Sequence, residues 1–289
     1  MILIGNDDFG RKISDKAGLD FIQFEQKTFP DGEICPRIPK IEKSEYVICN
    51  HLHRSYNVNT YLTETFLLLR TLRKNNVSCE TMIMPYLIYS RQDKIFRKGE
   101  PSSLECMIKL FNDNGIKKII TVTSHANRFQ KEFKIGNVRI TNLDGFSVIG
   151  KSMKDMCYDT IIAPDEGVEK IAENISNDFN IKHAIIKKHR DLITGEVKSK
   201  WKTKYTIGNK VVIVDDMISS GGTMLKAVDL SKKYTDHVSC AAVHGIFTQG
   251  SDKLIKVCLP YVTDTIESEF SKISVTDLIA SEINELFFN

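Results

Sequence analysis

Residues 211–224, Val-Val-Ile-Val-Asp-Asp-Met-Ile-Ser-Ser-Gly-Gly-Thr-Met, constrain this chain more than any other stretch. Four consecutive β-branched residues at 211–214 suit a strand covered on both faces, as in a parallel sheet. Asp215 and Asp216 follow directly, and a buried strand should not end in two carboxylates unless something binds there. Ser219, Ser220, Gly221, Gly222 and Thr223 carry little side chain, so backbone N–H groups can close around an anion. A helix start follows, and its positive end points at the same place. Such a loop suits a phosphate and the two acids suit hydroxyls, which together describe a phosphorylated sugar.

The spacing departs from two other phosphate-binding patterns. It lacks the Gly-Lys pair of the Walker loop and the three spaced glycines of the dinucleotide fingerprint. Strand, Asp-Asp, Ser-Ser-Gly-Gly-Thr and helix together resemble the phosphoribosyl-pyrophosphate motif of the phosphoribosyltransferase-type fold.

The chain has 289 residues, enough for one large or two medium domains. Hydrophobic residues are 42% and charged residues 27%, the composition of an ordinary globular protein. A net charge of +3, from 40 basic and 37 acidic residues, is too weak to argue for nucleic-acid or membrane partners, and none is expected. No apolar run reaches the length of a membrane span, and Met1 to Gly5 reads as a short strand rather than a signal peptide. The seven cysteines are dispersed without a C-x-x-C pair, so reduced thiols without metal or catalytic duty are expected, in a cytoplasmic setting.

Strand-like runs at 46–49, 81–84, 118–122, 160–163, 184–187, 210–214 and 239–243 alternate with helical patterns. The spacing predicts a helix over 57–74 with Val58, Leu62, Phe66 and Leu69 on one face. Ser102 and Glu105 read as a capping box opening a helix that stops at Asn114-Gly115. Repeated β–α alternation argues for an α/β protein with mainly parallel sheets flanked by helices. Ligands of such sheets bind beyond the carboxyl ends of the strands. Polar residues and a glycine at 142–145 suggest a division into 1–143 and 144–289, with the last helix able to pack back on the first half.

Other constellations sit at strand ends. Phe29-Pro30-Asp31-Gly32-Glu33 is a turn that alone reads as a plain loop. The run from Met84 to Lys94 gathers Arg91, Gln92, Asp93 and Lys94, and Arg91 with Gln92 can bind a triphosphate; otherwise it is a charged surface loop. His125 follows the strand 118–122, a position equally open to a structural histidine and a ligand. Asp165 follows another strand, either capping the next helix or meeting a metal or a sugar. Lys187-Lys188-His189-Arg190 is a solvated basic loop or a cationic flap over phosphates.

Taken in order, these motifs resemble the ribose-phosphate pyrophosphokinases, also called phosphoribosyl-pyrophosphate synthetases, over nearly the whole chain. The tail, with Ala242 to Phe247 and Val262 to Glu267, is similar too, and the short length is most like the archaeal branch. The resemblance implies two phosphoribosyltransferase-like domains and transfer of the pyrophosphoryl group of ATP to the anomeric hydroxyl of ribose 5-phosphate. It implies that Asp215 and Asp216 face ribose hydroxyls and that Ser219, Ser220, Gly221, Gly222 and Thr223 cradle the 5-phosphate. Phe29, Asp31 and Glu33 would hold the nucleoside of ATP from a neighbouring subunit, with Arg91, Gln92 and Asp93 completing that site. His125 and Asp165 would contact Mg2+ or its water shell, and Lys188 and Arg190 would be the catalytic cations. A shared ATP site implies a homodimer or higher homo-oligomer.

Two departures from the family pattern stand out. The family has an Asp two residues before the metal-site His, where this chain has Thr123. It often has Asp-x-Gly-Gly after Pro164, where this chain has Asp165-Glu166-Gly167-Val168, so Val168 either narrows the sugar approach or adjusts helix packing. Thr123 leaves room for a catalytically weak regulatory paralogue, against which the retained Lys188 and Arg190 argue. A phosphoribosyltransferase is the other alternative, but one such domain needs only about half the chain and leaves Arg91 to Lys94 without a role.

Overall fold

The structure, a computed structural model, describes residues 1–127, 129–190, 197–202, 207–248 and 251–288, with backbone alone for 187–190 and 197–202. It divides into two compact units. The first holds Met1–Asp144, Thr265–Glu267 and the chain from Val275 onward; the second holds Gly145–Asp264 and Ser268–Ser274.

In the first unit, β1 (Ile2–Gly5), α1 (Asp8–Ala17) and β2 (Asp20–Gln23) lead to a separate hairpin, β3 (Glu25–Thr28) and β4 (Ile34–Arg37). Then come β5 (Glu45–Cys49), α2 (Val58–Lys74), β6 (Ser78–Ile83), α3 (Ser103–Asp113), β7 (Lys118–Val122), β8 (Glu132–Ile135) and β9 (Val138–Leu143). The seven-stranded sheet has the order β2-β1-β5-β6-β7-β9-β8, parallel except for β8 at its edge. Its interior strand β5 buries Tyr46, Val47, Ile48 and Cys49 completely, which explains the unbroken apolar run.

In the second unit, α4 (Gly145–Asp155), β10 (Thr160–Ala163), α5 (Glu169–Phe179), β11 (Lys182–Arg190), β12 (Val197–Lys202) and β13 (Lys210–Ile218) are followed by α6 (Gly222–Ser231) and β14 (His237–Gly245). A short α7 (Asp252–Ile255), β15 (Pro260–Thr263) and β16 (Ser271–Ile273) complete it. Its sheet runs β12-β11-β10-β13-β14-β15-β16, again with one antiparallel edge strand, β12. Ile162, Ala184, Val211, Ile213, Cys240 and Val262 form the centre of its core. The last helix, α8 (Thr276–Phe288), belongs to the first unit and packs on α1, where Lys16 Nζ reaches Asp277 Oδ1 at 2.7 Å.

Several local expectations are corrected. The buried stripe of α2 is Tyr61, Glu64, Thr65, Leu68, Leu69 and Leu72; Val58, Leu62 and Phe66 are only half-buried. Two polar residues lie inside because Asn50, at the end of β5, takes them as partners: its Nδ2 donates to Glu64 Oε2 at 2.9 Å and to Thr65 Oγ1 at 3.1 Å. Ser102 occupies the N-cap of α3 without capping it, because its hydroxyl donates to the carbonyl of Asp93 at 3.0 Å instead. The strand expected at 184–187 runs on through Arg190, since β12 supplies an antiparallel partner. The hairpin β3–β4 and the edge strand β8 carried no apolar run, because little or none of their surface is buried.

Candidate active site

In the second unit the site grows from the register of three parallel strands. β10 pairs with β13 as far as Ile162 opposite Ile213, so continuing that register sets Asp165 beside Asp215 and Asp216. Asp165 caps a 3-10 turn (Glu166–Val168), its Oδ1 accepting the N–H of Gly167 at 3.0 Å. Asp215 Oδ1 accepts the N–H of Asp216 at 2.9 Å. Burial pushes the Asp215 carboxyl well above the usual carboxylate range, and the charges of Asp216 and Asp165 push the same way. With Asp216 and Asp165 both raising the proton affinity of Asp215, this is a place where a cation or a ring of hydroxyl donors is stabilising. Val168 is buried, so the departure there belongs to helix packing and not to the sugar approach.

Beyond the acids, β13 continues through Ile218, paired with Gly245 of β14. The Ile218 carbonyl accepts the N–H groups of Ile246 and Phe247, both at 3.0 Å, and the Ser219 carbonyl accepts that of Thr248 at 3.1 Å. The loop of Ser219, Ser220 and Gly221 is thus tied to the exit of the neighbouring strand. Gly221 sits in the left-handed region at φ +76°, and a Cβ there would meet Leu254 Cβ at 3.1 Å. Both facts require glycine. Gly221 is also the N-cap of α6 and brings no side chain to it, so the first amides of the helix, from Gly222 and Thr223 onward, have no side-chain acceptor from the cap. Backbone donors, helix dipole and an open Gly222 suit an anion.

Lys188 and Arg190 lie on β11, opposite Ser199 and Val197 of β12. Their side chains lie outside the described residues. The basic run is therefore the end of a strand pair, where a loop was expected.

In the first unit the named residues also follow strand ends. Arg91, Gln92 and Asp93 follow β6 through a turn in which Tyr89 adopts φ 60°. Arg91 and Asp93 are exposed, while Gln92 staples the loop: its Nε2 donates to the carbonyls of Lys94 at 3.1 Å and Pro101 at 3.4 Å. Phe29, Asp31 and Glu33 cap the β3–β4 hairpin, closed by Phe29 N–H to Glu33 O at 2.7 Å and Glu33 N–H to Asp31 Oδ1 at 3.1 Å. The Phe29 ring is exposed, with Lys27 Nζ 4.5 Å from its centroid.

His125 is half-buried in the loop after β7. Thr123, two residues earlier, is buried with φ 46°, and its N–H and hydroxyl both turn to the carbonyl of Leu143, at 2.9 Å and 3.4 Å. Asn142, at the end of β9, organises this loop. Its Oδ1 accepts the N–H of Ser124 at 2.7 Å, and its Nδ2 donates to the carbonyls of Asn127 and Gln130, each at 3.0 Å. Sequence reasoning took Asn142 only for an interruption. The available signal was a lone amide ending an apolar strand.

The chain is similar to known proteins over most of its length. A family model described as the N-terminal domain of ribose phosphate pyrophosphokinase matches residues 2–115, and one described as a phosphoribosyl transferase domain matches residues 148–278. A ribose-phosphate pyrophosphokinase of Saccharolobus solfataricus is 31% identical over 262 residues, covering 89% of each chain. That of Pyrococcus furiosus is 32% identical over 272 residues, covering 91% of this chain and 92% of its own. A crystal structure of phosphoribosylpyrophosphate synthetase from Mycobacterium smegmatis matches with a TM-score of 0.81 over 100% of this chain and 99% of its own, at 22% identity, a likeness of fold.

Proposed function

The chain belongs to the ribose-phosphate pyrophosphokinase family, and on that premise we propose how its residues divide the reaction. It transfers the pyrophosphoryl group of ATP to the anomeric hydroxyl of ribose 5-phosphate, giving phosphoribosyl pyrophosphate and AMP. The observation that carries this reading is likeness to enzymes of that name over 89% of the chain, joined to a glycine N-cap at Gly221 that follows the half-buried Asp215 and the buried Asp216 on the same strand–loop–helix.

The 5-phosphate is assigned to the backbone donors of 219–223, with Ser219, Ser220 and Thr223 hydroxyls around it. The ribose hydroxyls are assigned to Asp215 and Asp216, whose carboxyl oxygens accept hydrogen bonds from them. Arg91, Gln92 and Asp93 are assigned to ATP, with Gln92 also holding the loop in shape. The exposed hairpin of Phe29, Asp31 and Glu33 is assigned to the nucleoside of ATP on a second copy, so the working protein is at least a homodimer. Among the described residues no helix is long and apolar enough to cross a membrane, and a cytoplasmic location is proposed.

The crowded acids fit a divalent cation, and Asp165 beside them is proposed as a ligand for Mg2+. In the first unit, His125 is proposed as a contact for Mg2+ or its water shell. When bound, Mg2+ neutralises polyphosphate charge and raises the electrophilicity of the β-phosphorus. Lys188 and Arg190 are assigned to the negative charge that builds on the transferring group, where fixed cations act most strongly.

Incubation of the purified protein with ATP, ribose 5-phosphate and Mg2+ tests the activity by AMP release. AMP at background from folded protein contradicts it and leaves the regulatory-paralogue reading. Pyrophosphate release that depends on an added nucleobase instead points to a phosphoribosyltransferase.

A further inference from the structure

At the same edge of the first sheet, three side chains outside the assigned machinery converge. β1 and β5 pair with Gly5 opposite Cys49. Continuing that register past the strand ends sets Asp7 opposite His51, and His53 follows two residues on, on the same side of an extended chain. Asp7 Oδ2 lies 2.6 Å from His51 Nδ1 and 3.0 Å from His53 Nε2. Among the described residues these three donor atoms all lie within 4.8 Å of one another.

We propose that Asp7, His51 and His53 form a binding site for a divalent transition-metal ion of the zinc class, separate from the Mg2+ of the pyrophosphoryl transfer. Two imidazoles and one carboxylate are a nitrogen-rich set that suits zinc, cobalt or iron and not magnesium. Each ring binds as the neutral imidazole, through the nitrogen that faces Asp7 and with its N–H on the other nitrogen; a ring protonated beforehand releases one proton to solvent as the ion enters.

The surroundings are built in the manner of a metal site's outer shell. Asp7 Oδ1 is held by the N–H groups of Phe9 and Gly10 at 3.1 and 3.3 Å, which leaves Oδ2 directed at the rings. Asn6 clasps the backbone of His51 from both sides, donating to its carbonyl at 2.7 Å and accepting its N–H at 2.8 Å. The Phe9 ring stacks on His51 at 4.0 Å and 17°. The His51 side chain is buried, whereas His53 is 36% exposed and lines a cleft of ≈ 630 Å³, giving an ion a way in. Glu64 and Glu267 add a negative field at His53.

The test is titration of the full-length protein, stripped of metal and free of ATP, ribose 5-phosphate and Mg2+, with Co2+. One equivalent should bind with visible ligand-field absorption, displaced by Zn2+. His53→Ala and Asp7→Asn should each weaken Co2+ binding by at least about 10–100-fold, the loss seen when even an outer-shell partner is removed. Co2+ affinity equal to wild type in either folded variant overturns the proposal, as does absence of stoichiometric binding to wild type. X-ray absorption at the zinc edge of the wild-type protein needs no variant: two imidazoles and one carboxylate support the site, and any shell without two imidazoles overturns it.

Discussion

The side-chain carbonyl of Asn142 accepts the backbone N–H of Ser124 at 2.7 Å, tying the end of β9 to the loop that carries His125. Ser124 is buried, so removing the acceptor strands a donor away from water. Asn142→Ala should destabilise the protein by about 1–3 kcal/mol, read as a fall in Tm of several degrees. It should also raise the Mg2+ concentration needed for half-maximal activity, because His125 loses its support. A variant with unchanged Tm and unchanged Mg2+ dependence removes Asn142 from that role.

Gly221 and Gly222 are adjacent but differ in what they tolerate. Gly221→Ala forces a left-handed Cβ against Leu254 and should destabilise by about 1–2 kcal/mol. It should also raise the KM for ribose 5-phosphate more than that for ATP. A Cβ on Gly222 meets only Ser220 Oγ, at 3.9 Å, so Gly222→Ala should melt like wild type. Equal melting of the two variants contradicts the account of the loop.

Lys188→Ala should lower kcat far more than it raises the KM for ribose 5-phosphate, since a cation serving the transition state does little for ground-state binding. Steady-state kinetics decide the matter. Proportionate loss in both parameters assigns Lys188 to substrate binding.

Glu64 sets a pH dependence of stability. Burial pushes its carboxyl up to about 7, against the hydrogen bond from Asn50 and the charge of His53, which pull it down. A carboxyl raised on folding binds its proton more tightly in the native state. Its contribution is therefore complete below the unfolded value of 4.5 and declines as pH rises to about 7. Among the described residues Glu64 Oε1 has no hydrogen-bond partner, so the ionised form is incompletely compensated where it is buried. Glu64→Gln should flatten this decline and raise Tm at pH 8 relative to wild type, read by thermal melts across pH 4–8. A wild-type curve that does not fall in that window, or a variant that falls equally, assigns the decline to other groups.

Much of the molecule was legible without coordinates. Unbroken apolar runs marked β5, β7, β10 and the first half of β13, because strands covered on both faces leave no polar alternation. The turn at Ser219 to Gly222 was legible as a break between strand and helix, since a run of small residues with two glycines suits a tight left-handed turn. The family pattern extended this to Arg91, His125, Asp165 and Lys188 as positions worth naming.

Contacts between distant segments decided the rest. Glu64 and Thr65 turn inward on α2 because Asn50 waits there, and no helical periodicity encodes a partner on another strand. Ser102 abandons its cap for the Asp93 carbonyl, and β11 outruns its apolar residues because β12 pairs with it. Asp7 and His51 are 44 residues apart, and only the pairing of β1 with β5 joins them. The sequence by itself determined the layered α/β plan and the small-residue loop between β13 and α6, both written in local composition and spacing. Only the tertiary structure decided which polar groups meet, because a hydrogen bond or a ligand pair is set by strand register and packing across the chain.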